Sequence, residues 1–233
     1  MEVVDGKTER VAALAALAAL AEPLRRRVYD HAVAHPSGVS RDSTAEALDV
    51  ARSVAAFHLD KLVDAGLLAV DFRRPPGRRG PGAGRPAKWY RRAGGEIAVS
   101  VPGRRYGLAA ALLARAAERA ASGEVGVAEA LADVARDHGH EIGRTLRQAD
   151  GEARSVGQRL VELLGEHGYE PRLAGDLITL ANCPFHALAE EHRDLVCHMN
   201  HELLCGVAEE AGLPSGAARL DPVPGRCCVT LVA

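Results

Sequence analysis

At 233 residues, 47% of them hydrophobic and 26% charged, the chain is long enough for one large domain or two small ones with real cores. No apolar run reaches the ~18 residues of a membrane span, and Met1-Glu2-Val3-Val4-Asp5 lacks the basic start and apolar stretch of a secretory signal. The expectation is a cytosolic protein with no membrane partner. The net charge of −2 hides an asymmetry: residues 1–106 carry 18 Lys and Arg against 12 Asp and Glu, and residues 107–233 carry 11 against 19. A basic front and an acidic rear point to two tasks, the first with a polyanion.

Residues 8–21 read as an Ala-rich helix with Val11, Leu14, Leu17 and Leu20 along one stripe. Pro23 suits the first turn of a second helix, running from Leu24 to about Ala34 and stopped by His35-Pro36-Ser37-Gly38. Ser43-Thr44-Ala45-Glu46 reads as a capping box opening a short helix that ends near Leu48. After a tight break at Asp49-Val50, another helix is expected from Ala51 to about Asp64, with Gly66 as its stop. The short second and third members of this trio match helix-turn-helix spacing.

Leu67–Phe72 and Ala87–Arg91 read as two strands of a hairpin. Between them lies a stretch rich in Arg, Gly and Pro, so that residues 71–92 hold eight basic side chains and one acid. Gly and Pro forbid regular structure at the tip, and a mobile cationic loop is expected there. Helix, turn, helix and basic hairpin together make a winged helix. The helix from Ala51 should bury Ala55, Leu59 and Leu62, leaving Arg52, Ser53, Phe57 and Lys61 on its outer face. Arg52 can fork onto a guanine, Ser53 suits a phosphate or base edge, and Phe57 can touch a thymine methyl. His58 lies at the boundary, as either a base contact or a helix-packing residue. Arg78, Arg79, Arg85 and Lys88 would meet phosphates or a narrow minor groove.

Residues 107–122, 126–147 and 154–166 read as further helices, the first rich in Ala and Leu. Such helices pack against a twin subunit or form the core of a second domain. Strands follow at Tyr169–Leu173 and Leu177–Leu180, then a short helix from Pro184, a long one from Arg193 to Glu210, and a terminal hairpin of Ala218–Asp221 and Cys227–Val232.

All five cysteines fall in this rear segment: Cys183, Cys197, Cys205, Cys227 and Cys228. An odd number without a secretory signal argues for reduced thiols rather than a disulfide scaffold. Cys183 stands at a helix start, where N–H groups and the helix dipole favour thiolate. His201 and Cys205 follow Cys197 at i+4 and i+8. Cys227 and Cys228 are adjacent on a strand and should point to opposite faces, so that only one joins a shared site. His186, His192 and His198 read as surface or packing residues, and His138 and His140 as structural.

Ala21-Glu22-Pro23-Leu24-Arg25-Arg26-Arg27-Val28-Tyr29, the segment Phe57–Leu68, and Gly84-Arg85-Pro86-Ala87-Lys88-Trp89-Tyr90 resemble ArsR-type winged-helix transcription regulators. The rear segment, through Asn182-Cys183-Pro184-Phe185, Leu195–Asn200 and Pro224-Gly225-Arg226-Cys227-Cys228-Val229, resembles the SufR-like branch of them. The resemblance implies a homodimeric repressor bound to a double-stranded DNA operator, with Cys183, Cys197 and one of Cys227 or Cys228 ligating an iron–sulfur cluster. Thirteen residues separate Cys183 from Cys197, slightly more than in that branch, and Cys205 and His201 add donors to the set. Zinc and plain thiol chemistry therefore stay open, since soft thiolates suit all three. A regulator sensing a small apolar ligand and a thiol-dependent oxidoreductase are the rival functions. The latter ranks low, because no Gly-rich phosphate loop precedes a helix and no Ser/His/Asp order is evident.

The expected fold is α+β and mostly helical. A winged helix-turn-helix domain would span residues 1–100, a helical linker or dimerisation region 101–150, and a cysteine-rich α+β sensor domain with short hairpins 151–233.

Overall fold

The computed structural model describes residues 6–73, 86–123, 125–148 and 154–233. The chain is α+β and mostly helical, with small antiparallel sheets, and it divides into two compact units, Met1–Val99 and Ser100–Ala233. The helices between 101 and 150, expected as a separate linker or dimerisation region, share one core with the cysteine-bearing segment, because Ala109, Leu112, Leu131 and Val134 bury themselves with Leu160, Ile178 and Leu203.

In the first unit, α1 (Gly6–Ala19), α2 (Pro23–Val33), α3 (Arg41–Leu48) and α4 (Arg52–Asp64) precede a hairpin of β1 (Leu68–Arg73) and β2 (Ala87–Arg92). The carboxylate of Glu22 caps α2, accepting from the N–H groups of Leu24 and Arg25 at 3.0 and 2.7 Å, with Pro23 as first helical residue. The capping box of α3 is Ser40 and Ser43, not Ser43 and Glu46. Ser40 Oγ accepts from Ser43 N–H at 3.0 Å and Ser43 Oγ from Ser40 N–H at 2.9 Å, so the helix starts earlier than the Ser-x-x-Glu pattern indicates. Asp49 ends it at φ +52°, a left-handed C-cap that turns the chain into α4. Gly66, at φ +72°, makes the corresponding exit from α4. On α1, Ala16 faces the core while Val11, Leu14 and Leu17 stay exposed. The helix is apolar nearly all round, so periodicity could not select its inner side.

The second unit runs α5 (Tyr106–Ala121), α6 (Val127–Gly143), α7 (Thr145–Gln148), α8 (Val156–Glu166), β3 (Pro171–Ala174), β4 (Leu177–Leu180), α9 (His186–Glu191), α10 (Arg193–Glu210), β5 (Ala218–Leu220) and β6 (Val229–Val232). Its antiparallel sheet has the order β3-β4-β6-β5, with Ile178 opposite Leu231 and Arg219 opposite Thr230. The terminal strand thus inserts into the middle of the sheet. Ile178, Leu180, Val229 and Leu231 are fully buried against the helices.

The long helices α6 and α10 meet backbone to backbone. A Cβ added at Gly139 would lie 2.0 Å from the Leu203 carbonyl oxygen, and one at Gly206 would lie 2.2 Å from that of Arg136. Either methyl must drive the helices apart. Around this contact, Arg136 bridges Glu202 and Glu209 at 2.6 and 2.7 Å, and His140 lies 3.3 Å from carboxylate oxygens of Glu209 and Glu210. Gly139→Ala should therefore destabilise the chain by about 1–3 kcal/mol, the usual cost of overpacking. Urea unfolding followed by circular dichroism would register this; an unchanged midpoint would mean the helices separate freely.

Candidate DNA-reading face and thiol cluster

On α4, Ala55, His58, Leu59 and Leu62 are buried, and Arg52, Ser53, Phe57 and Lys61 are exposed. Of the two places open to His58, it takes the helix-packing one. That ring is turned inward, 8% exposed, with Nδ1 3.4 Å from the Glu22 carboxylate, and it does not share the surface of Arg52 and Phe57. Arg52 pairs with Asp42 of α3, and Lys61 Nζ lies 3.3 Å from Asp64; both pairs are open to water, where such contacts yield readily to a phosphate. Phe57, 53% exposed, is a large apolar side chain held in solvent at the centre of this face.

A polar hub that sequence reading missed lies behind this face. Asp60 of α4 accepts from Arg41 Nη2 of α3 at 2.6 Å, from Tyr90 Oη at 2.8 Å and from Lys88 Nζ at 3.1 Å, the last two on β2. Tyr90 Oη also accepts from Arg41 Nε at 2.8 Å. One carboxylate thereby ties both helices of the helix-turn-helix to the wing. Lys88, expected to be free for phosphate, belongs to this hub. Val39 and Tyr90 exchange two backbone hydrogen bonds of 2.8 Å, which fix the hairpin to the loop before α3. Arg78, Arg79 and Arg85, with the cationic loop itself, lie outside the described residues.

In the second unit the fold brings four thiols together from three separate segments. Cys183 follows β4, Cys197 lies on α10, and Cys227 and Cys228 occupy the turn just before β6. The Cys227 thiol lies beside those of both Cys183 and Cys228, near enough for each to shift the other's ionisation, and Cys228 stands in the same relation to Cys197. Cys227 and Cys228 therefore both join the cluster; they precede the strand, so strand alternation does not separate them. Cys205 does not join it. Its sulfur lies 3.6 Å from His201 Nε2, one to two turns further along α10, and burial followed by the Glu202 charge pushes its pKa up.

The charge within the cluster sits elsewhere than expected. Cys183 lies ahead of α9, whose N-cap is Phe185, and its pKa is raised by its hydrogen bond to Cys227 and by burial. Cys227 is the thiol held low. Hydrogen bonds from Cys183 and Cys228, the Val229 N–H and the Asn200 side chain together outweigh its desolvation. Asn200 is fully buried, donating from Nδ2 to Cys227 Sγ at 3.2 Å and accepting at Oδ1 from Tyr169 Oη at 2.5 Å. On the other flank, Asn182 donates to the carbonyls of Gly103 and Gly168 at 2.9 and 2.5 Å, while Arg104 bonds Asn182 Oδ1 and, at 3.3 Å, the Cys183 carbonyl. None of Tyr169, Asn182, Asn200 and Arg104 forms a spacing motif with a cysteine, and sequence reading passed over them.

The remaining histidines fall outside the thiol cluster's hydrogen bonds. His138 lies 2.8 Å from Glu141, His140 faces Glu209 and Glu210, and His186 lies 3.3 Å from Glu190.

Residues 20–71 match a family model described as a helix-turn-helix domain, the span that contains α2, α3, α4 and most of β1. This segment is thus a helix-turn-helix domain, the kind of unit with which transcription regulators bind DNA. No curated protein and no solved structure matches the chain. Among the described residues, no helix is long and apolar enough to cross a membrane.

The Asp60 hub makes the first unit sensitive at both ends of the pH scale. Burial raises the Asp60 pKa, but hydrogen bonds from Tyr90 and Lys88 and the Arg41 charge prevail and hold it low. Stability from a lowered carboxyl is present above its ordinary value near ~4 and is lost as pH falls through the folded value. Burial and the Asp60 hydrogen bond push Tyr90 up to about 12; that contribution is present below ~10 and is lost as pH rises toward the folded value. Trp89, the chain's single tryptophan, reports unfolding of this unit. Its fluorescence melt should fall at both extremes, and Asp60→Asn should flatten the acid limb; identical acid limbs would remove Asp60 from the hub.

Proposed function

We propose that the protein is a homodimeric repressor whose first unit grips operator DNA and whose thiol cluster, holding an iron–sulfur cluster, sets how well it grips. The observation that carries this reading is the convergence of Cys183, Cys197, Cys227 and Cys228 from three segments. Iron–sulfur clusters are held by cysteine thiolates, and hydrogen bonds to the sulfurs tune them. The donor set fits, and Asn200 Nδ2 already donates to one sulfur.

The spread of the sulfurs favours a polynuclear group over a single zinc ion. Tetrahedral zinc with Zn–S bonds of about 2.3 Å needs all four sulfurs ~3.8 Å apart. Among the described residues, the group of three ligand atoms mutually within 4.8 Å involves none of these cysteines. The thiols instead form a string, Cys183–Cys227–Cys228–Cys197. When bound, an iron–sulfur cluster supplies a one-electron redox couple. The chain's own residues do the rest: Asn200 and Arg104 hold the ligand-bearing segments in place, and burial limits solvent access.

Regulation then takes the form of a population shift. A group shared by three segments stabilises the arrangement in which all three meet, and its loss releases them to repack. A tenfold change in operator affinity requires only ~1.4 kcal/mol of such coupling. The exposed apolar stripe of Val11, Leu14 and Leu17 on α1 supports a twin subunit that covers it, and two copies would present their α4 helices to half-sites one helical turn apart.

Two experiments test this reading. Chain purified without oxygen should absorb broadly in the visible and contain iron and acid-labile sulfide, and Cys197→Ser or Cys227→Ser should lose both while retaining helical circular dichroism. Colourless chain lacking iron would end the cluster reading. In gel-shift titrations, Arg52→Ala should cost about 1–3 kcal/mol of discrimination between operator and random DNA. Arg78→Ala with Arg79→Ala should instead weaken all DNA binding and flatten its salt dependence. Equal effects of both sets on both DNAs would contradict the assignment of α4 as the reading helix.

A further inference from the structure

Three other donors converge on α10. His198, His201 and Glu202 place their ligand atoms within 4.8 Å of one another. We propose that these side chains form a second cation site, separate from the thiols, for a borderline divalent transition-metal ion of the zinc class. The proposal does not depend on what occupies the thiol cluster.

The spacing is i, i+3 and i+4, which sets His201 and Glu202 beside His198 on the helix surface. The His198 and His201 rings are stacked, with centroids 6.4 Å apart. His201 Nε2 lies 3.3 Å from the Ala218 carbonyl oxygen, and its Nδ1 lies 3.0 Å from Glu202 Oε1. A neutral imidazole has one N–H. Given to Glu202, it makes an ordinary hydrogen bond; given to the Ala218 carbonyl, it leaves the Nδ1 lone pair beside a carboxylate oxygen, a pair of donors spaced to share a cation. A ring nitrogen freed in this way, with the opposite N–H held by a backbone carbonyl, is the usual arrangement of a metal-binding histidine.

Glu202 is oriented for the same role. Arg136 of α6 donates to its Oε2 from Nε and Nη2 at 2.9 and 2.6 Å, which leaves Oε1 available as a ligand. Hydrogen-bonding one oxygen of a ligating carboxylate fixes the other. His198 is exposed while His201 and Glu202 are partly buried, so an ion would enter from solvent and keep water on its open side. Two imidazoles and one carboxylate suit zinc, cobalt, nickel and copper better than magnesium or calcium. Cys205 flanks His201 with its sulfur 3.6 Å from Nε2 and lies outside the group of three donors.

Cobalt(II) titration of the full chain distinguishes the two sites. Cobalt on thiolates gives an intense sulfur-to-metal charge-transfer band, whereas cobalt on imidazole and carboxylate gives weak d–d bands alone. Wild-type chain should take one equivalent with the weak bands, whatever charge-transfer band cobalt at the thiols adds, and Cys227→Ser should retain that equivalent. His198→Ala, at an exposed position that does not endanger folding, should lose that equivalent or bind it at least ~10-fold more weakly, as should Glu202→Gln. Absence of this equivalent in the wild type would mean that His201 and Glu202 form only an ion pair, and the proposal fails. It fails equally if His198→Ala and Glu202→Gln both bind cobalt with wild-type stoichiometry and affinity.

Discussion

The second unit depends on the direct backbone contact between α6 and α10. At Gly139 and Gly206 there is no room for a side chain on either helix, and each lies against a carbonyl of the other. Contact at this range fixes the axial position of α10 to within a fraction of its 1.5 Å rise per residue. Everything chemical in the unit is measured from that helix: Cys197 toward the thiol string, Asn200 inward toward Tyr169 and Cys227, and Glu202 toward Arg136. A slip of one residue would turn Asn200 away from its partners and leave a fully buried tyrosine hydroxyl and thiolate without donors or acceptors. The flanking Arg136 ion pairs and the contacts of His140 with Glu209 and Glu210 guard the same register.

Around the cysteines the polar groups are arranged as a connected network. Four thiols strung side by side cannot all ionise, because neighbouring like charges repel. The charge goes to Cys227, the sulfur with the most hydrogen-bond donors: two neighbouring thiols, a backbone N–H and the Asn200 amide. Asn182 and Arg104 hold the Cys183 segment through backbone carbonyls of Gly103 and Gly168. Such satisfied networks specify one geometry, since any partial version leaves buried groups unpaired.

The first unit solves a different problem, presenting a helix on one side while anchoring it on the other. Leu59 and Leu62 supply the apolar anchor, and Asp60 between them supplies the polar one. By joining α3, α4 and β2, that carboxylate fastens α4 to the hairpin. His58, packed against Glu22, ties α4 to the cap of α2.

Much of this was legible in the residues themselves. Helix and strand order, the buried positions of α4, its exposed Arg52, Ser53, Phe57 and Lys61, and the gathering of cysteines toward the rear follow from periodicity, Gly and Pro placement, and composition. Local rules also misled where two patterns overlapped. Ser43 satisfies a cap motif in sequence, yet Ser40 captures it as a partner three residues earlier. Cys227 and Cys228 read as the start of a strand that in fact begins at Val229, which reverses the inference about their faces.

Local sequence thus determined the elements and the chemistry they carry, because helix, strand and turn preferences act over a few residues. Tertiary structure alone decided which groups meet: Asp60 with Arg41, Lys88 and Tyr90; Asn200 with Tyr169 and Cys227; four thiols but not the fifth. These partners lie far apart along the chain, and the distances between them are set by how closely helices pack, down to the missing side chains of two glycines.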